Sequence, residues 1–176
     1  MKKDIRIAIS GKSGCGNTTV SQVVAERLGL RFINFTFRSL AQERGISLEK
    51  VLELAEKDDW WDKEVDIRQV QIARENGGCV LGSRLAIWML GDADLKVYLT
   101  AKPEIRAARI VKREGGNFEE VAAFTRDRDR QDHSRYLRIY NIDNYNNDFA
   151  DLFIDTDHLD PDQIAQLIIE AAEKIN

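Results

Sequence analysis

Cysteine and proline are almost missing: the 176 residues hold two of each. Cys15 and Cys79 are too few for a disulfide framework, and their spacing is that of no metal motif. The fold must therefore rest on its apolar core, and a reducing, cytoplasmic setting is expected. No apolar run approaches the roughly 18 residues of a membrane span, so no membrane segment is expected. The basic start Met1-Lys-Lys leads only into a short alternating stretch, which argues against a signal peptide. An excess of positive charge is also lacking. A net charge of −4 argues against a nucleic-acid surface built on general basicity. The two histidines, His133 and His158, are isolated and read as surface residues. No repeat, linker or low-complexity tract interrupts the chain. Residues 1–176 read as one domain, long enough for a proper core.

What the chain does have is concentrated near its start. Ile5, Ile7 and Ile9 alternate with Arg6 and Ala8 as a strand; Val20, Val23, Val24 and Leu28 fall on one helical face. Between them lie Ser10 to Thr19, Ser-Gly-Lys-Ser-Gly-Cys-Gly-Asn-Thr-Thr. Strand, glycine-rich turn and helix in that order form a phosphate-binding loop, with backbone N–H groups converging on an anion at a helix N-terminus. The binding segment is Gly11, Lys12, Ser13, Gly14, Cys15, Gly16, Asn17, Thr18 and Thr19. Thr18 stands where a hydroxyl would hold a Mg²⁺ ion bridging nucleotide phosphates. The pattern G-x-x-x-x-G-K-[ST] wants lysine where this chain has Asn17, and Lys12 is the nearest substitute cation. Cys15 lies where a thiol pKa tends to fall, but a small loop-filling role suits it better.

Along the rest of the chain, Arg31–Phe37 reads as a short strand. Helices are expected from Arg38 to Gly45, from a Ser47 cap onward, and over Trp60–Glu75 with Val65, Ile67, Val70 and Ile72 as its apolar set. Three helices are too many for a simple crossover, so residues 36–75 read as an inserted substrate-binding subdomain. Cys79–Gly82 and Asp94–Thr100 read as strands. Pro103 opens a helix with Ile105, Ala108 and Ile110 as its core face. Gly115-Gly116 breaks that helix, and another follows over 118–140 with Val121, Phe124 and Leu137. Leu152–Asp155 is the last strand, and 161–174 a closing helix. Such alternation implies an α/β fold: a P-loop three-layer α/β/α domain with a central parallel sheet of about five strands. Ligands then bind beyond the carboxyl ends of the strands, where the loops from Ser10, Phe35, Gly82 and Thr100 would meet.

Arginine's planar fork suits phosphate. Arg38, Arg84, Arg106 and Arg109 follow successive strands, and 126–135 adds more. A solvated helix face is the ordinary fate of such residues; Arg84 stands apart because it directly follows a buried strand. The residues alone leave three readings open: a P-loop kinase for a nucleotide or another small acceptor, a nucleotide-binding module without catalysis, and an ATPase. The chain nevertheless resembles the cytidylate kinases of the compact archaeal type, within the nucleoside monophosphate kinases. The likeness runs through 9–20, Thr36-Phe-Arg38, 41–48, Arg84-Leu-Ala-Ile-Trp88, Arg106-Ala-Ala-Arg109, Lys112-Arg-Glu-Gly115, Arg135-Tyr-Leu-Arg-Ile-Tyr140 and Asp151–Thr156.

The resemblance implies transfer of the γ-phosphoryl group of ATP to CMP or dCMP with Mg²⁺. It implies that Arg38 and Arg84 grip the acceptor's phosphate and that Arg109 stands at the entrance of a lid over about 112–135. Arg128 and Arg135 would approach the transferring group, Asp132 would read the cytosine amino edge, and Thr18 would hold the metal. Lys12 is the candidate for the missing loop charge. Small nucleotides are the expected partners, with neither nucleic acid nor membrane, and a monomer is expected.

Overall fold

The alternating isoleucines near the start become the middle strand of the molecule. The structure, a computed structural model, describes residues 1–175. β1 (Arg6–Gly11) leads through the glycine loop into α1 (Asn17–Leu28), which Gly29 ends in the left-handed region. β2 (Arg31–Ile33) is followed by α2 (Phe37–Arg44), α3 (Leu48–Ala55) and α4 (Trp60–Glu75). Then come β3 (Cys79–Gly82), the single turn α5 (Ala86–Met89), β4 (Leu95–Thr100), α6 (Pro103–Glu114), α7 (Phe118–Tyr140), β5 (Leu152–Asp155) and α8 (Pro161–Glu173). The five strands are all parallel, in the order β2-β3-β1-β4-β5. The chain works outward from β1 in both directions, so its ligand crevice lies at the carboxyl end of β1.

The side-chain alternation of β1 divides the core. Ile5, Ile7 and Ile9 face α1 and α8 with Val97 and Leu99, while Ala8 faces the other layer with Leu81, Val70 and Ile87. Helices thus cover both faces, as the apolar strands require. A third, smaller cluster of Phe35, Leu40 and Val65 lies beneath α2 and α4.

Several expected details differ. The strand from Arg31 stops at Ile33, because Thr36 and Ser39 form a reciprocal capping box that starts α2 at Phe37. On α4 the inward face is Val65, Gln69, Val70 and Ala73, and Ile67 is exposed. On α6 the buried residues are Arg106, Ala107 and Ile110 rather than Ile105 and Ala108. On α7 Phe124 is 65% exposed and Leu137 is exposed too; the buried set is Ala122, Thr125, Asp132 and Tyr136, half of it polar or charged. A helix whose buried face is charged serves a site rather than a core. α8 ends one residue earlier than expected, at Glu173. Among the described residues no helix is long and apolar enough to cross a membrane.

Candidate active site

The glycine loop owes its shape to two residues. Gly14 and Gly16 have φ of 86° and 99°, which a side chain would make costly, and Gly16 caps α1 in that state. A Cβ on Gly14 would lie 2.8 Å from the Cβ of Arg106, so α6 presses directly on the loop. Asn17 folds back inside: its amide nitrogen donates to the Gly11 carbonyl at 2.6 Å, while its Oδ1 is buried with no partner among the described residues. Asn17 braces the loop from within and offers no cation. Cys15 is buried, and burial pushes its thiol up to about 11, against the fall expected at a helix N-terminus. It fills the loop.

Arg106 anchors this loop from α6. It is 3% exposed, donates to the Ser13 carbonyl at 3.0 Å, and grips Asp129 of α7 through both carboxylate oxygens, at 3.2 and 2.6 Å. Lys12 Nζ approaches the same carboxylate at 3.8 Å and sits 4.9 Å from the ring centre of Tyr145. Arg109, one turn on, donates to the carbonyls of Gly14, at 3.4 Å, and of Thr156, and to the Thr156 hydroxyl at 2.9 Å. Arg109 therefore ties the loop to the segment after β5.

A cleft of about 460 Å³ opens over the loop, between β1, β3 and the start of α2. Lys12, Ser13, Gly14, Gly16, Asn17, Thr18 and Thr19 form its floor. Arg84, Arg128, Arg135 and Tyr136 line the side nearer α7, and Phe35, Phe37, Asp62, Val65, Asp66 and Gln69 the side of α2 and α4. Arg84, Arg128 and Arg135, noted separately in the sequence, thus share one cavity. Arg38 does not join them: it is exposed on α2, one residue beyond the cleft-lining Phe37.

The charges in the cleft are unequally matched. Asp132 is 7% exposed, and both its oxygens are engaged, Oδ2 by Arg84 and Oδ1 by Arg135 at 3.1 Å. Arg135 also lies 3.5 Å from Asp62. Burial works against the charge of Arg84, but Tyr136 and Asp132 hold it above its ordinary value. Burial likewise opposes Arg135, and Asp62 and its neighbours more than restore it. Arg128 is the exception. Burial and the adjacent Arg84 depress it, and it makes no salt bridge among the described residues. An arginine pressed by another arginine, without a carboxylate of its own, favours an incoming anion.

Sequence reading missed the α4 wall. Burial raises the Asp62 carboxyl against the pull of Arg135. Burial also raises Asp66, to about 6, where Tyr140 donates to its Oδ2 at 2.5 Å and Asp62 adds repulsion. The Tyr140 hydroxyl is pushed up in turn, by burial and by Asp66. The available signal was spacing: Asp62, Asp66 and Gln69 stand at i, i+4 and i+7, a single helical face. One other reading changes. His133 of α7 is half-buried rather than on the surface, stacked on Tyr145 at 3.9 Å and paired with Asn144 at 2.8 Å. Trp61 packs against the small cluster beneath α2, with Trp60 edge-on to it at 5.0 Å.

The parallel sheet, the glycine loop and the arginine-lined cleft define a P-loop kinase. Solved structures agree on the fold. A shikimate kinase from Bacteroides thetaiotaomicron superposes with a TM-score of 0.63 at 18% identity, covering 96% of this chain and 98% of its own. The deoxyadenosine kinase of M. mycoides with bound dATP gives 0.58 at 17%, covering 97% and 100%. At such identities the likeness is one of fold alone. The sequence comparisons go further. The family model described as the cytidylate kinase-like family matches residues 6–158, and the chain belongs to that family. It is 46% identical to cytidylate kinase 2 of Borreliella burgdorferi over 98% of this chain and 97% of that one. It is 38% identical to the cytidylate kinase of Pyrococcus horikoshii over 100% and 93%.

Proposed function

We propose that the protein transfers the γ-phosphoryl group of ATP to CMP or dCMP. The observation that carries this reading is the convergence of Arg84, Arg128 and Arg135 on one cleft with the glycine loop. A module that only held ATP would not need three guanidinium groups on the acceptor side. Phosphoryl transfer passes through a loose transition state that calls for alignment and positive charge more than for a base.

In this account the loop N–H groups and the N-terminus of α1 hold the donor's phosphates, with Lys12 supplying the cation that Asn17 does not. Arg84 holds the acceptor's phosphate, and Arg128 and Arg135 meet the charge of the transferring group. Arg38 lies outside the cleft lining, and reaches the acceptor only if α2 moves toward the loop. Asp132 fixes Arg84 and Arg135 in place. Arg109 and Arg106 hold the loop from behind. The excursion α2–α4, residues 36–75, receives the acceptor. Gly115 and Gly116, with φ of 80° and 101°, allow residues 112–135 to close as a lid that keeps water from the donor.

The residues present fit a Mg²⁺ ion carried in by the nucleotide. The Thr18 side chain lines the cleft at the start of α1, and no cluster of three or more acidic, histidine or cysteine residues among the described residues offers a protein cage. Mg²⁺ commonly keeps waters and takes phosphate oxygens with few protein ligands. Bound there by Thr18, it would neutralise charge on the donor's phosphates.

The test is ADP formation from ATP and Mg²⁺ with each nucleoside monophosphate in turn. CMP and dCMP should stimulate it far above AMP, GMP or UMP. Equal stimulation by all, or by none, would contradict the proposal.

A further inference from the structure

Three carboxylates stand near an acceptor, Asp62 and Asp66 in the cleft lining and Asp132 beside its arginines, and of these Asp66 alone pairs with no arginine among the described residues. Asp132 gives both oxygens to arginines, and Asp62 lies against Arg135. Asp66 makes no salt bridge among the described residues. Its Oδ2 accepts from the Tyr140 hydroxyl, and no donor among the described residues reaches its Oδ1. One turn along the same face, Gln69 is 7% exposed and lines the cleft, and its amide makes no hydrogen bond within the protein among the described residues. Phe35 and Val65, both 8% exposed, also line this wall. Two apolar side chains beside a free carboxylate oxygen and a free amide make a slot for a flat heterocycle. The apolar groups take its faces, the polar pair its edge.

Resting on the reading of the protein as a cytidine monophosphate kinase, we infer that Asp66 and Gln69 on α4, rather than Asp132, read the hydrogen-bonding edge of the acceptor base. Cytosine presents an exocyclic amino donor next to two acceptors, whereas uracil presents a carbonyl in place of the amino group. The Asp66 carboxylate accepts from the amino group, and the Gln69 amide donates to the adjoining ring nitrogen or carbonyl. The same pair rejects uracil, whose carbonyl oxygen would face the carboxylate with no proton between them. A site built on such bonds discriminates strongly, because a mismatched base leaves buried polar atoms unpaired. Tyr140 supplies the support: by binding Oδ2 it fixes the carboxylate and leaves Oδ1 for the base. Burial with no paired cation keeps Asp66 a poorly solvated acceptor that gains most from a donor.

The experiment compares CMP with the 2-pyrimidinone ribonucleoside monophosphate, which is CMP without its amino group, in the wild-type protein and in Asp66→Asn. Asn still accepts from Tyr140, so the contact between α4 and α7 is kept. Deleting the amino group should lower kcat/KM of the wild type by about 10- to 100-fold, the worth of a hydrogen bond to a charged group. In Asp66→Asn that loss should shrink to within about threefold, the signature of two groups that act on each other. Gln69→Leu, measured alongside, should raise the KM for CMP about tenfold with the KM for ATP unchanged. Equal losses in wild type and Asp66→Asn, or an unchanged KM for CMP in Gln69→Leu, would overturn this assignment while CMP turnover by the wild type left the kinase reading standing. A wild-type protein that phosphorylates no nucleoside monophosphate would overturn both.

Discussion

At the scale of single residues, the loop separates two tasks that one lysine usually combines. Asn17 holds the loop closed through the Gly11 carbonyl. Lys12, to which the proposed function gives the charge, shares Asp129 with Arg106 and lines the cleft floor. Lys12→Ala should lower kcat/KM for ATP by about 10- to 100-fold, the range of a lost charged hydrogen bond, with little change in thermal stability. Unchanged turnover and ATP affinity would show that the loop manages without a lysine. Asp66 makes a second prediction, through stability. Its carboxyl ordinarily titrates at 3.8 and is raised to about 6 in the fold by burial, with Asp62 adding to that and Tyr140, Arg135 and Arg84 opposing it. A raised acid means that the folded state pays for the charged form. The penalty is full above the folded value and disappears as pH falls toward the unfolded one. Asp66→Asn should therefore melt roughly 3–6 °C above wild type near pH 8, allowing for partial solvent screening, with the difference gone near pH 4. An equal difference at both ends, measured by calorimetry, would contradict the assigned cause.

At the scale of elements, α6 and α7 form the frame that keeps the loop in shape, through Arg106 and Asp129. Removing one partner of a buried ion pair leaves the other uncompensated, so Arg106→Ala should cost about 3–5 kcal/mol in urea unfolding. It should also weaken ATP binding, because the Ser13 carbonyl loses its donor. Stability lost without an effect on nucleotide binding would mean that the frame does not reach the loop. Much of this level was legible in the chain. The glycine loop, the helices α2–α4 and the arginine after β3 announce themselves by spacing and by their place after strands. The inner face of α7 was not legible from periodicity, although the family resemblance pointed to Arg128, Asp132 and Arg135 on it. Its apolar residues Phe124 and Leu137 point outward and its inner positions are polar, a pattern dictated by the cleft and invisible to hydrophobic periodicity. The length of β2 was misread for a local reason: Thr36 and Ser39 cap a helix where the aromatic residues around them suggested a strand.

At the scale of the whole molecule, sheet order decides the site. Placing β1 in the middle brings the glycine loop, the end of β3 and the start of α2 to one crevice, which the proposed function assigns to the donor and acceptor phosphates. Sequence could list the arginines, but only the fold shows that Arg84, Arg128 and Arg135 converge while Arg38 stays outside. It also shows that the carboxylate best placed by motif, Asp132, accepts from Arg84 at one oxygen and from Arg135 at the other. The central claim is direct transfer between two nucleotides held in this crevice. The measurement that tests it is the fate of the terminal phosphate of [γ-³²P]ATP in a single turnover with excess protein, Mg²⁺ and CMP. The account predicts that the label appears in CDP, with little in inorganic phosphate, and that Arg128→Ala slows its appearance without diverting it. Label released to phosphate at the same rate with and without CMP would contradict it.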